Sequence, residues 1–293
     1  MPSHRTTARG VLLLLLIGVF TGTASAAAVP ETTPFPVVGN VTYTDDFGDP
    51  RPGGTHEGND LMSVRHQPAI AFVAGRVQTY VPSPGSPTGT CMLYLHAKNG
   101  MTYVYIHLNN DLGPKNDNKG HCKGGVSWPS GINGDRVRRG ELVGFVGDSG
   151  DANGIQPHLH FEVRKPSGRA INPFSHLKKS KHLLFPRTPA DSKVTLKGTK
   201  VLDKTADSIT VRTKRIVVPS LDLDYLYARR VTLSSSDATV RRKSGSGSLS
   251  ATTLSDAKVG ERARIVTTAF DPTWARLRAT PYALAVESLL LLG

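Results

Sequence analysis

The chain has 293 residues, enough for one large domain or two ordinary ones. Its 36 Lys and Arg outnumber 23 Asp and Glu, giving a formal charge of +13. The only two cysteines, Cys91 and Cys122, belong to no CxxC pair, which argues against a cysteine-built zinc cluster.

Arg5 and Arg9 precede an apolar run from Val11 to Phe20, and Ala24-Ser25-Ala26 supplies small residues for cleavage. Residues 1–26 therefore read as a signal peptide, with a mature chain from about Ala27. A membrane anchor is the competing reading, but the run is too short for a helix to cross about 30 Å of hydrocarbon. Export implies an oxidising compartment, so Cys91 and Cys122 are expected to form a disulfide. Closing that loop stabilises the fold by about 3–4 kcal/mol in the chain-entropy view.

Residues 27–44 are a Pro- and then Thr/Asp-rich leader in which Val38–Tyr43 resembles an entry strand. Pro52, Gly53, Gly54 and Gly58 disfavour a helix around His56-Glu57-Gly58-Asn59-Asp60. A loop running into a strand lets His56 and Asp60 turn toward one ion. Ala69–Val81 alternates as strands about Gly75. Asn99-Gly100, between alternating runs, signals a hairpin. With those two as the loop, Lys98 pairs with Met101, His96 with Tyr103, Tyr94 with Tyr105 and Met92 with His107. Leu93, Leu95, Val104 and Ile106 would then face the core and His107 a groove. Residues 109–135 form a long Gly/Asn/Lys-rich loop, expected to be ordered if Cys122 tethers it. Val137–Gly150 suggests a strand pair with glycine turns. In the strand Pro157–Val163, His158 and His160 share one face while Leu159, Phe161 and Val163 point inward. Two ordinary polar positions would look the same in isolation.

Phe185–Pro189 opens a linker over residues 185–192. Beyond it, Val194–Leu202, Ser208–Val218, Tyr225–Leu233 and Glu261–Ala269 alternate Val, Thr and Ile with Lys and Arg. They predict a smaller all-β C-terminal domain over residues 193–293, with a barrel as one form it could take. Ser244–Ser250 reads as a Gly/Ser loop, and Ser288–Leu292 is too short to span a membrane. From residue 185 onward 18 Lys and Arg face 10 Asp and Glu, whereas residues 27–184 carry 16 against 13. Outside a cell this excess suits anionic wall polymers or lipid rather than nucleic acid, with plain solubility as the alternative.

His56, Asp60 and His160 make up two imidazoles and a carboxylate, the donor set of a catalytic zinc site with one open position. His107 and His158 add groups that titrate near neutrality. These residues, together with Tyr105-Ile106-His107-Leu108, the turns from Gly140 to Gly150, His158-Leu159-His160-Phe161-Glu162-Val163 and Asn172-Pro173, occur in the order found in the lysostaphin and LytM-type zinc metallopeptidases of family 23, which residues 45–177 resemble. The resemblance implies a mainly β, antiparallel-sheet peptidase domain with a groove, over residues 45–184. It also implies Zn2+ held by His56, Asp60 and His160, with His107 and His158 as the catalytic pair. The implied substrate is the peptide part of bacterial peptidoglycan, and the implied place of action is the cell wall, the medium or the periplasm. Phe47-Gly48-Asp49-Pro50-Arg51 only approximates the family's Phe-Gly-x-Arg entry, and residues 109–135 exceed the usual loop. The alternatives are a non-catalytic relative that regulates other wall hydrolases, and a wall- or polyanion-binding protein acting through its basic C-terminal half. Glu162 is either a support for a ligand or an ordinary strand position, and Tyr105 either a donor in the groove or a packing residue. His66, His96, His121, His176 and His182 have no part in the constellation, and oligomeric state has no signature.

Overall fold

In the computed structural model, the described residues are Val29, residues 33–82, residues 89–268 and residues 282–292. The signal-peptide reading falls outside them. Two short strands, β1 (Pro50–Arg51) and β2 (Gly54–Thr55), form a hairpin just before β3 (Asn59–Met62). The main sheet comprises β3, β5 (Gly75–Tyr80), β6 (Met92–Ala97), β7 (Thr102–Ile106), β8 (Arg136–Val137), β10 (His158–Arg164) and β11 (Ala170–Ile171). A separate pair joins β4 (Pro68–Ile70) to β9 (Leu142–Phe145). Val38–Tyr43 contributes an isolated bridge from Thr42 to Met62 rather than a strand.

The β10 strand is the axis of this sheet. Along one edge it pairs with β7, and along the other first with β3 and then with β11. Its alternation is as expected: Leu159, Phe161 and Val163 are fully buried. They pack with Tyr103, Tyr105, Leu93 and Leu95. The Cys91–Cys122 disulfide forms, with 5.1 Å between the Cα atoms, and ties the 109–135 loop to the start of β6.

The hairpin at Asn99-Gly100 differs from the two-residue reading. His96 lies opposite Thr102, Leu95 opposite Tyr103 and Leu93 opposite Tyr105, so the register slips by one residue. Ala97 closes the turn by donating to Met101 O at 2.9 Å and accepting from Gly100 N at 3.0 Å. The loop is thus Lys98-Asn99-Gly100, with Gly100 in the left-handed region at φ 81°. A one-residue slip exchanges the two faces of a strand. Tyr103 and Tyr105 therefore enter the core, while Val104 and Ile106 lie on the opposite face.

One short helix, α1 (Phe174–Lys179), follows the main sheet. Residues 185–192 do not form an exposed tether, because Phe185 and Thr188 are buried and Arg187 N donates to Gly140 O at 2.7 Å. The second sheet holds β12 (Thr195–Lys204), β13 (Ser208–Arg212), β14 (Arg215–Val218), β15 (Leu223–Leu226), β16 (Arg230–Ser234), β17 (Thr239–Lys243), β18 (Leu249–Ala251), β19 (Arg262–Thr267) and β20 (Tyr282–Leu292). Its pairings close a circuit, β12 to β13 to β16 to β20 to β19 and back to β12. Most of its pairs are antiparallel, with β20 running parallel to β16 and β17. The Gly/Ser segment lies at the exposed turn between β17 and β18. Val38 and Ile70 from the first half join the apolar core of this second unit. Tyr225 OH donates to Leu184 O at 2.5 Å and Gln67 Nε2 to Leu226 O at 2.8 Å across the same junction. No helix among the described residues is long and apolar enough to cross a membrane.

Candidate metal centre

Strand register brings the first two groups together. Asp60 on β3 is the direct cross-strand partner of His160 on β10, so both side chains project from one face. His160 Nδ1 lies 3.0 Å from Asp60 Oδ1. His56 enters from the loop ahead of β3, with Nε2 3.1 Å from Asp60 Oδ1 and 2.8 Å from His160 Nδ1. Gly58 permits this close approach: a Cβ there would stand 2.5 Å from Phe161 O and 2.9 Å from His160 Nε2.

The outward atoms of all three are held. His56 Nδ1 donates to Asp46 O at 2.8 Å, and His160 Nε2 to Glu162 Oε1 at 3.1 Å. Arg51 Nη2 donates to Asp60 Oδ2 at 2.8 Å. Arg51, the last residue of the approximate entry motif, thus fixes a carboxylate at the centre. With the outward N–H groups committed, neutral His56 and His160 present two lone pairs to the ionised Asp60 oxygen. Three acceptors then converge with no donor between them, and all lie within 4.8 Å of one another. Such a cluster needs either a proton or a cation at its middle. Two imidazole nitrogens and one carboxylate oxygen are a donor set that suits a divalent metal ion, zinc among them.

The electrostatics agree. Burial alone would raise the Asp60 carboxyl, but the imidazoles of His160, His56 and His158 beside it outweigh burial whenever they carry protons, and hold the group well below the usual carboxylate range. Burial opposes charge on His160, yet Asp60 and Glu162 on either side push its pKa up to about 9. Without a cation, a proton on His160 fills the gap. Glu162 itself is buried and also accepts from Arg164 Nε at 2.6 Å, while Arg164 Nη2 donates to Glu57 Oε2 at 2.5 Å. Glu162 therefore fixes the His160 ring rather than being an ordinary strand position.

His158 and His107 stand beside this cluster. His158 Nε2 lies 3.7 Å from Asp60 Oδ1, and its Nδ1 donates to Gln156 O at 2.9 Å. His107 Nδ1 donates to Ser149 O at 2.8 Å. The two rings are 4.8 Å apart, and His107 is 6.0 Å from the His160 ring. Simple alternation after Tyr103 and Tyr105 would send His107 into the core. A φ of 60° at His107 ends β7 and turns the ring toward His158 and His160 instead. Burial, reinforced by His158 nearby, lowers its pKa to about 4. The floor beside the histidines comes from the same face of β7 and β6, with Ile106 opposite His160 and Val104 opposite Glu162 and Tyr94.

Tyr105 does not reach this face. Its hydroxyl donates to Ile70 O at 3.0 Å and accepts from Phe72 N at 2.9 Å, deep in the core. Among the other described histidines, His66 bonds to Gly113 O, His96 to Gln78, and His182 stacks on Phe35 at 4.2 Å. Asp46 escaped sequence reasoning because it acts on His56 mainly through its backbone carbonyl, which no side-chain pattern reveals.

Residues 124–173 match the model of peptidase family M23. DD-carboxypeptidase/endopeptidase Mpg of Neisseria meningitidis is 32% identical over 120 residues, which are 41% of this chain and 22% of that protein. The chain thus spans about a fifth of the length of the curated relatives it matches. The catalytic domain of the antimicrobial peptidase lysostaphin from Staphylococcus simulans is 22% identical with a TM-score of 0.33, covering 47% of this chain and 93% of that one. The catalytic domain of the prophage-encoded M23 protein EnpA from Enterococcus faecalis is 24% identical with a TM-score of 0.32, covering 47% and 95%. Over residues 124–173, which carry His158 and His160, the chain is thus similar to the peptidases of family M23, the lysostaphin and LytM type.

Proposed function

We propose that this protein is an exported zinc-dependent endopeptidase that hydrolyses peptide bonds in the stem or cross-bridge peptides of bacterial peptidoglycan. Residues 45–184 act as the peptidase domain, residues 185–192 as the connection, and residues 193–293 as an accessory domain. The observation that carries the reading is the convergence of His56 Nε2, His160 Nδ1 and Asp60 Oδ1 with every outward atom already bonded. Those three residues hold the ion, which supplies a Lewis acid able to acidify water and polarise a carbonyl.

The protein's own groups do the rest. His107, neutral at pH 7 and donating through Nδ1, keeps a lone pair on Nε2 to accept a proton from the attacking water. His158 stands across from it, and positive charge there disfavours charge on His107, so one imidazole serves as base while the other faces the developing oxyanion. Ile106 and Tyr94, both half-buried, form a floor on which an extended peptide lies beside the histidines. A non-catalytic regulator would be expected to lack members of this set, and all five are present.

The test is digestion of purified peptidoglycans of different cross-bridge chemistry, with and without chelator, followed by mass analysis of the new ends. Chelator-sensitive release of peptide termini is expected, and failure on every wall type would refute hydrolysis. His56→Ala and His160→Ala are expected to lose zinc and activity together. His107→Ala and His158→Ala should retain zinc by elemental analysis but lose activity. A fully active His158→Ala protein would remove it from the mechanism.

A further inference from the structure

On the second sheet, strand register sets cations directly against one another. Arg212 on β13 is the cross-strand partner of both Arg230 on β16 and Lys200 on β12. Lys200 is in turn the partner of Arg262 on β19. Their chain neighbours Val231, Val211, Val201 and Ala263 are buried in the core, so the four cations project outward, and all four are exposed. At about 4.8 Å per strand they form a row about 14 Å long. Beyond Arg262 the row passes Leu292 to Lys243. Arg264 and Arg241 flank Leu290 one step further along the same face.

Like charges directly opposite each other destabilise a sheet. The remedy used elsewhere in this sheet is a carboxylate: Lys193 pairs with Glu287, Lys197 and Arg215 share Asp224, and Arg242 pairs with Glu261. No such pair involves any of the seven outward cations among the described residues. A repelling, unneutralised row spread over four neighbouring strands is a recognition surface whose counter-charge comes from outside the molecule.

We propose that this row binds a linear anionic polymer carrying a phosphate in each repeat. β12, β13, β16 and β19 all belong to the closed circuit, so the row follows a curved surface. A flexible chain can follow that curve, whereas a flat bilayer would meet only part of it. The row contains no aromatic side chain on which a base could stack, which favours a polymer without bases. The C-terminal unit then holds the groove of the first sheet close to phosphate-rich polymer. This binding does not depend on the peptidase reading.

The experiment measures binding of the full chain to long-chain inorganic polyphosphate over a range of salt, beside phosphatidylglycerol and phosphatidylcholine vesicles. The row variant carries Lys200→Gln, Arg212→Gln, Arg230→Gln and Arg262→Gln. The control variant removes equal charge from the other half through Lys165→Gln, Arg169→Gln, Lys178→Gln and Lys179→Gln. Each phosphate contact contributes about −0.7 to the slope of log affinity against log salt for a single strand, so losing four flattens the slope by about 3. Between about 50 and 200 mM salt the wild type should weaken about 50-fold more than the row variant, and the control variant should keep the wild-type slope. The row variant should melt at or above the wild-type temperature, since repulsion is relieved, which separates lost binding from lost folding. Equal slopes for both variants would reduce the effect to net charge and overturn the proposal. So would phosphatidylglycerol binding that polyphosphate fails to displace.

Discussion

Glu162 offers the most direct test of how the centre is built. It accepts from His160 Nε2 and so leaves Nδ1 of that ring to face Asp60 and His56. Glu162→Gln keeps a carbonyl oxygen for this bond but removes the charge that makes the imidazole a better donor. Glu162→Ala removes both, and leaves Arg164 Nε without its 2.6 Å partner. Partners of this kind are worth about 10- to 100-fold in metal affinity. The Gln variant is expected near the tenfold end and the Ala variant near the hundredfold end, about 1.4 and 2.7 kcal/mol. Zinc affinity is measured by competition with a chromophoric chelator, and wall hydrolysis is measured again at saturating zinc, where the Gln variant should recover most of its activity. If both variants bound zinc within about twofold of wild type, Glu162 would have no part in holding His160, and the ligand assignment of His160 Nδ1 would fall with it.

The proton on His160 makes zinc affinity depend on pH. Since its pKa is raised to about 9, each ion bound below that pH displaces a proton, and affinity should rise by about tenfold per pH unit until it levels off near 9. For the zinc-free protein the sign is opposite: the stabilisation from the raised pKa is complete below about 6.5, the ordinary value, and is lost as pH rises through about 9. Thermal melts across that range, with and without zinc, read both trends; melts of the zinc-free protein that do not fall toward pH 9 would contradict the bridging proton. Tyr105→Phe strands the buried Phe72 N–H and removes the bond to Ile70 O, costing about 1–3 kcal/mol in denaturant titrations while KM stays unchanged. The paired Cys91→Ser and Cys122→Ser variant opens a loop of sequence separation 31 and should lose about 3–4 kcal/mol, with the 109–135 segment becoming the first site of proteolysis.

The parts legible in the sequence were those whose geometry follows from strand alternation. His158 and His160 on one face, with Leu159, Phe161 and Val163 on the other, need nothing but a period of two. His107 shows where that rule stops. Asn99-Gly100 suggests a two-residue turn, which places His107 on the polar face by parity. The actual loop has three residues, because Gly100 takes a left-handed conformation, and on that register parity alone would bury His107 beside Tyr103 and Tyr105. His107 reaches the groove only because it too is left-handed, held by Ser149 O from a distant turn. Two departures from regular strand geometry, seven residues apart, cancel. Neither can be read locally, since asparagine-glycine admits both loop lengths and nothing around His107 marks a strand end. The supports of the centre share this property: Asp46 O, Ser149 O and Gln156 O are backbone atoms, which every residue type offers equally. The side chains that converge around Asp60 are thus written in residue identity, whereas the tautomers that turn their lone pairs inward are written in the path of the chain.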